Sequence, residues 1–406
     1  VRVMQGEDEY FDGEILQDEG TQEEILDSIN HLVESGDVIL DEVDDADSEM
    51  EDSEMDEEVP NDAKLTLQYH TDPVYAVALK ESDDQWIIGT GAGDEIGTLF
   101  RCDKASLNTE EPIIETTIQK ELTGHADSIT CVAWNFDRSM FATGGMDGVV
   151  HVWNDEGELI VQLQGPADSI EWICWHPRGN VVACGSADGT GWMWNSKGLC
   201  LNVFSGHDGP LTCGRFTPDG KLLITGSRDE SVKIWVPTQG TTQRNISGDL
   251  FHQSPVLCFD CTDSVIISGG ENGSLRLSNY ISGKILNKYE DHEDSVESVQ
   301  FCPVFPVITS ASLDGLLKIW DLNTAQLRST VLAHDGGVIK TKIDEREPLL
   351  YTCGVDGTIK VWDVRSSTCV RTFQGHTKPV LDIDISSNGK TILSSSDDQT
   401  VRLFQW

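Results

Sequence analysis

A unit of three short apolar strands recurs along most of this chain, and that periodicity limits the fold more than any other feature of the sequence. The clearest copy, residues 124–153, reads GHADSITCVAWNFDRSMFATGGMDGVVHVW. Its runs ITCVAW, MFATGG and VVHVW are strand-length and are separated by Asp-Arg-Ser and Met-Asp-Gly turns. Two independent markers count the copies. A Trp-like residue six positions beyond a turn Asp falls at Phe100, Trp153, Trp194, Trp235, Ser278, Trp320, Trp362 and Phe404, with spacings of 53, 41, 41, 43, 42, 42 and 42 residues. The turn residues are Asp94, Asp147, Asp188, Asp229, Asn272, Asp314, Asp356 and Asp398. A His position ahead of each first strand gives His70, His125, Pro166, His207, His252, His292, His334 and His376. A sheet this small cannot bury its faces alone, so the copies must pack on one another.

A period of about 40–45 residues punctuated by Gly-His and Trp-Asp resembles the WD40 family, and the dipeptide itself survives at Trp320-Asp321 and Trp362-Asp363. The resemblance covers residues 64–406. It implies an all-β fold, an eight-bladed WD40 β-propeller. The eighth copy stops after its third strand at Trp406, while an alternating segment, KLTLQY at 64–69, precedes the first. The expectation is that this N-terminal strand completes the last blade and closes the ring, removing the open edges of a linear array.

The irregular copies invite other readings, which local physics disfavours. Gly89, Gly91 and Gly93 in WIIGTGAGDEIGTLF look like a dinucleotide loop, but such a loop must open a helix, and here the run leads into another strand. Residues 101–115 are long and polar and are expected to form a surface loop. The third copy lacks the His and the fifth lacks both the turn Asp and the Trp, so these two blades are expected to be less tightly tied. Cys258 and Cys261 form a Cys-x-x-Cys, but no second pair stands at zinc-site spacing, and no metal or other cofactor is expected.

His, Ser/Thr, Asp and Trp together suggest catalysis. In the second copy they are His125, Thr143, Asp147 and Trp153, and in the sixth His292, Ser310, Asp314 and Trp320. A reaction needs one special site, whereas this set repeats from copy to copy. The expectation is a structural network in which His and Thr satisfy a buried Asp, with no enzymatic role.

Formal charge is −42 and unevenly spread. Residues 1–60 hold 24 acidic residues and one basic, Arg2, leaving 46 acidic against 27 basic in the remainder, a net of −19. Segment 1–60 therefore reads as an acidic, mostly disordered tail, with 61–406 as the propeller. Within it EEILDSINHLVES places Ile25, Leu26, Ile29, Leu32 and Val33 at helical spacing: a short helix near 23–34, either transient or a docking element. Acidity on both parts argues against direct nucleic-acid binding and points to a basic protein or peptide. The eleven cysteines are odd in number and lie mostly within strands, as buried thiols of a reducing compartment do. No apolar run reaches a membrane span and no leader-like segment opens the sequence, so a monomeric, cytoplasmic protein is expected, with the nucleus also open to it.

In a propeller the loops before each first strand share a rim with the turns between second and third strands. Two residues beyond the His positions, or one, stand Asp72, Asp127, Asp168, Asp208, Asp294 and Asp335, and at the start of first strands stand Glu171 and Glu297, with Trp172 beside the former. Asp favours turns in any protein. Glu171 and Glu297 are more telling, since Thr130 and Thr212 occupy that place in neighbouring copies. These nine residues are the candidate partner-binding set, suited to a Lys/Arg-rich segment through charge-assisted pairs and cation–π contact.

Four segments go beyond the general repeat: DSIEWICWHPRGNVVACGSADGTGWMW (168–194), TCGRFTPDGK (212–221), YTCGVDGTIKVWD (351–363) and CVRTFQGHTKPVLDI (369–383). Together with the acidic N-terminal segment they resemble the angio-associated migratory cell protein family, whose fungal branch chaperones a newly made large-subunit ribosomal protein. The resemblance implies a non-enzymatic scaffold of protein contacts: an escort for a basic ribosomal protein in ribosome assembly or, alternatively, an adaptor in signalling, cell-migration or trafficking complexes.

Overall fold

The period-two alternation of apolar residues becomes, in a computed structural model of the chain, a ring of eight twisted sheets. The structure describes residues 60–108, 111–117 and 119–406; the acidic segment 1–59, including the helix expected near 23–34, lies outside the described residues. Among these residues every regular element is a strand except one 3-10 turn, Lys104–Asn108.

Eight innermost strands line the axis: Val74–Glu81, Ile129–Trp134, Ile170–Trp175, Leu211–Phe216, Val256–Cys261, Val296–Phe301, Val338–Ile343 and Val380–Ile385. Each packs against the innermost strand of the next blade, and the last packs against the first. Close approach is possible because a small residue sits at one register position of each second strand: Gly91, Gly144, Gly185, Gly226, Gly269, Ala311, Cys353 and Ser395. A Cβ on Gly144 would stand 2.6 Å from Ile173 of the next blade, and one on Gly91 2.5 Å from Ile129. The glycines that imitated a nucleotide loop are thus packing positions.

Closure follows the expected route. Leu65–Leu67 pairs antiparallel with the last strand, Val401–Gln405, in the register Leu65↔Leu403 and Leu67↔Val401. Leu65 is fully buried, as are Leu403 and Leu393 around it. The segment expected to be a surface loop does more than cross the surface. Residues 113–115 form a strand running parallel to Leu65–Leu67, so the closing blade has five strands, and Lys120–Leu122 then completes the first blade. The correction has a simple cause: three residues whose partner is some fifty positions away carry no periodic signal of their own.

Carboxylates on the innermost strands tie blades in threes. Asp382 in the closing blade accepts the Val77 N–H of the first blade at 3.1 Å and pairs with Lys340 of the seventh at 3.2 Å. One layer down, Asp384 does the same with the Leu79 N–H at 2.8 Å and Lys342 at 3.5 Å. Asp260 bridges Arg215 of the fourth blade and the Phe301 N–H of the sixth. The Asp382 charge holds the Lys340 ammonium above its ordinary pKa, against the effect of burial.

A chain beginning at Pro60 and one beginning at Pro73 isolate the closing strand. The first is expected to melt cooperatively, and the second to lose the paired edge and melt at a clearly lower temperature. Coincident calorimetric melts of the two chains would show that Leu65–Leu67 does not close the ring.

Candidate functional site

The repeated polar set forms a hydrogen-bond chain in each regular blade. In the second, Trp153 Nε1 donates to Thr143 Oγ1 at 3.1 Å, the hydroxyl lies 2.9 Å from His125 Nε2, and His125 Nδ1 lies 3.0 Å from Asp147 Oδ2. The sixth repeats it: Trp320 to Ser310 at 2.9 Å, Ser310 to His292 at 2.8 Å, His292 to Asp314 at 2.7 Å. An ionised Asp accepts only, so Nδ1 carries the proton and Nε2 accepts from the hydroxyl. Asp147 also takes the Ala126 and Val149 N–H groups, fixing the turn between second and third strands to the loop ahead of the first. The order hydroxyl–imidazole–carboxylate resembles a hydrolase triad. Here Thr143 and Ser310 are buried, and the indole N–H occupies an acceptor site on each hydroxyl.

The two aberrant blades use substitutes. In the third, Asp188 accepts the Ala167 N–H and the Thr190 hydroxyl, and the Trp192 ring lies over Gly165, where a Cβ would stand 2.5 Å from it. In the fifth, His252 bonds Ser274 and Ser268, each at 2.8 Å, and bypasses Asn272. The Ser278 hydroxyl, at the Trp position, is buried without a partner.

Inside the ring a channel cavity of about 470 Å³ is lined by innermost-strand residues of all eight blades. Its wall includes the second residue of the innermost strands. Thr130 and Thr212 use this position to bond the carbonyls of Ile170 and Val256 in the next blade. Glu171 and Glu297 stand at the same position, which holds Tyr75, Leu257, Ile339 and Leu381 in the remaining blades, and an ionised carboxylate cannot donate such a bond. Each carboxylate is instead held by a hydroxyl of its own loop, Ser169 at 2.8 Å and Ser295 at 2.6 Å, and projects into the channel, Glu171 exposed and Glu297 half-buried. The channel's cation, Lys340, is engaged by Asp382.

Asp72, Asp127, Asp168, Asp208, Asp294 and Asp335 are all exposed on the loops preceding the innermost strands. Asp127, Asp168 and Asp294 also accept the N–H of the following Ser, the local turn role that Asp serves anywhere. The basic neighbours Arg228 and Lys378 face Glu271 and Asp397. Trp172 departs from expectation. Its indole is 7% exposed and folds against the next blade, with Gly214 so close that a Cβ there would stand 2.1 Å away. It offers no open ring face for a cation, and its Nε1 is buried without a partner. The signal lay in Gly214, 42 positions on, whose bareness makes room for the ring.

Cys258 and Cys261, three apart in one strand, address different neighbours: Cys258 donates to the Val296 carbonyl at 3.2 Å, whereas Cys261 lies with Phe251 and Tyr280. Burial pushes the Cys261 thiol up to about 12, and those of Cys131, Cys174 and Cys213 likewise, so these sulfurs stay protonated. Among the described residues no group of three or more His, Cys, Asp or Glu is placed to hold a metal ion, and no helix is long and apolar enough to cross a membrane.

Comparison with known proteins agrees with the architecture. The family model described as WD domain, G-beta repeat matches residues 116–154, 157–195, 198–236, 283–321, 325–363 and 367–405. It passes over the divergent first blade and the fifth, which lacks the Trp and the turn Asp. The chain is similar to the angio-associated migratory cell protein of Homo sapiens and of Canis lupus familiaris, 29% identical over 301 residues in each case. The match covers 70% of this chain and 66% of the length of those curated relatives. Among solved structures, Sqt1 from Chaetomium thermophilum has a TM-score of 0.77 at 24% identity, over 86% of this chain and 100% of that one. The same protein bound to the N-terminus of the ribosomal protein L10 gives 0.76 at 24% over the same shares, and Saccharomyces cerevisiae Sqt1 gives 0.75 at 20%, over 85% and 99%. At these identities the likeness is one of fold.

The fastening network makes two outcomes measurable. Asp229→Ala leaves the His207 Nδ1–H and the Asp208 and Ser231 N–H groups without their acceptor, and should cost about 1–3 kcal/mol of stability in a denaturant titration. Acid acts in one direction on both partners. Burial and the Arg276 charge lower His252 to about 3, and burial lowers His125, His292 and His376 despite the carboxylates beside them. Their stabilisation is full above the unfolded pKa of about 6.5 and is lost as pH falls through the folded values. Burial would raise Asp147 and Asp314, but hydrogen bonds and the facing imidazoles outweigh it and lower both, so their contribution, full above about 4, is also lost in acid. The melting temperature should be flat between about pH 7 and 8, decline below about 6.5 and fall more steeply below about 4. A melting temperature that rises on acidification would contradict the assignment.

Proposed function

The chain belongs to the WD40 family of WD domain, G-beta repeat proteins, and on that premise we propose that it is a protein-binding propeller that receives a basic segment on its loop-bearing face. The observation that carries the reading is the pair Glu171 and Glu297. Both line the channel, both are carboxylates at a position that the other blades fill with Thr or with an apolar or aromatic residue, and neither is ion-paired within the described residues. A carboxylate that lines a channel among other carboxylates, where the other blades use Thr or an apolar or aromatic side chain, is poorly explained by folding alone. Exposed Asp72, Asp127, Asp168, Asp208, Asp294 and Asp335 extend the same sign of charge around the rim. The 24 acidic residues of 1–60 add to the field that draws in a cation-rich partner.

The most concrete client is a ribosomal protein. Sqt1, similar in fold, is known bound to the N-terminus of the ribosomal protein L10. Carried to this chain, that supports a chaperone of a newly made, basic ribosomal protein, acting in the cytoplasm during large-subunit assembly and free of any catalytic step. Trp172 takes no part in this version of the rim.

Affinity purification of the wild type and of the Glu171→Lys/Glu297→Lys double variant tests the proposal. The wild type should retain basic ribosomal proteins and release them as salt rises from about 0.15 M to about 1 M, where the screening length shrinks from about 8 to 3 Å. The double variant should bind about tenfold more weakly or worse. Retention of non-basic signalling or trafficking proteins, insensitive to salt and to the double variant, would favour the adaptor reading instead.

A further inference from the structure

One arc of the loop-bearing face, over the sixth and seventh blades, is apolar. At the first position of the turn between second and third strands the eight blades carry Gly93, Met146, Ala187, Arg228, Glu271, Leu313, Val355 and Asp397. Leu313 and Val355 are consecutive in the ring, and each is 38% exposed. Between them lies Gly336-Gly337, where the other blades have Asp-Pro, Asp-Ser, Gly-Pro, Ser-Pro or Lys-Pro. The two glycines have φ of 89° and 126°, a backbone that disfavours side chains. The contacts are direct. A Cβ on Gly337 would stand 3.1 Å from Leu313, one on Gly336 3.6 Å from Val355, and the Val355 N–H donates to the Gly337 carbonyl at 3.0 Å. Leu313 and Val355 thus border a bare stretch of glycine backbone, and this exposed apolar strip is the trough.

We propose that this trough seats an aliphatic or aromatic side chain carried by the same basic segment that the acidic rim attracts, an inference that rests on the function proposed above. Charge complementarity selects that occupant. Asp294 and Glu297 lie one blade back, tied to the same turn: the Leu313 N–H donates to Ser295 and the Ser312 hydroxyl to the Asp294 carbonyl. Asp335 is the residue before the glycine pair, and its N–H donates to Asp356. Asp294 and Asp335 are exposed carboxylates, and among the described residues neither they nor Glu297 pair with a Lys or Arg. A second copy of this chain would bring like charge against like, at a formal −42 each. A partner whose apolar residue is flanked by Lys or Arg satisfies both parts of the surface at once.

Fluorescence anisotropy with two labelled synthetic dodecapeptides tests this. One contains only Arg, Lys and Ser, and the other has a central Leu-Phe in place of two Ser. The wild type should bind the Leu-Phe peptide about tenfold more tightly, the increment expected of one buried apolar side chain. The ratio should fall towards one in Leu313→Ser/Val355→Ser, while the affinity for the purely polar peptide stays unchanged. Gly336→Asn, which fills the trough and tolerates a positive φ, should give the same loss if the double variant proves unstable. Equal binding of both peptides by the wild type, or a ratio that survives both variants, overturns the trough and leaves the acidic rim standing. Failure to bind either peptide overturns the rim and the trough together.

Discussion

Ring closure governs everything else in this molecule. Eight sheets of one kind, laid side by side, leave two raw ends unless the last packs on the first, and only closure removes them. The chain meets this by building the eighth blade from both ends of the propeller, Leu65–Leu67 beside Val401–Gln405, and then adding Ile113–Glu115 outside. Reinforcement is concentrated at this seam. Asp382 and Asp384 each join the seventh, eighth and first blades. The Asn61 side chain accepts from Arg402, and Asp62 exchanges hydrogen bonds with Gln374. Among the described residues one comparable carboxylate staple, Asp260, is seen away from the seam. Local ladders cannot supply this stability, because the chain there is not continuous.

A periodic structure uses up its conspicuous chemistry. Histidine, hydroxyl, carboxylate and indole read from the sequence as reactive, yet in the regular blades they saturate one another and hold a turn against a loop. Function in such a frame is found where the period fails without a structural gain. Pro166 and Ser278 are failures that the fold repairs or tolerates, through Asp188, Thr190 and Ser274. Glu171 and Glu297 are different, because a carboxylate there adds neither the inter-blade bond of Thr130 and Thr212 nor the apolar packing of Leu257 and Ile339.

How much of this was legible depends on the range of the interaction. Blade number, closure by the segment near 65 and the roles of His125, Thr143, Asp147 and Trp153 could be read because each rests on spacing within one repeat or on counting strands. Trp172 was misplaced because its burial depends on Gly214, and the Lys340–Asp382 tie was missed because its partners also lie one repeat apart. Glu171 and Glu297 were visible as carboxylates where two other copies carry Thr130 and Thr212. The bond that Thr130 and Thr212 make from that position to the next blade belongs to tertiary structure. The trough between Leu313 and Val355 was hidden for the same reason, since two glycines in a loop read simply as a turn.

Under the proposed function, the acidic face and the apolar trough solve different parts of one binding problem. Surface charge of one sign opposes the compact state through self-repulsion, so it persists only if something offsets it. Long-range attraction raises the rate at which a basic segment arrives, but exposed ion pairs contribute little to its retention and fade with salt. Apolar burial has the complementary profile: it acts only on contact, ignores ionic strength and slows departure. A face made only of carboxylates would exchange basic partners indiscriminately, and one made only of Leu313 and Val355 would be too small to select any. Placed together around Asp294, Glu297 and Asp335, they favour a partner that is basic and carries an apolar residue in a defined place, a narrower class than charge alone would admit.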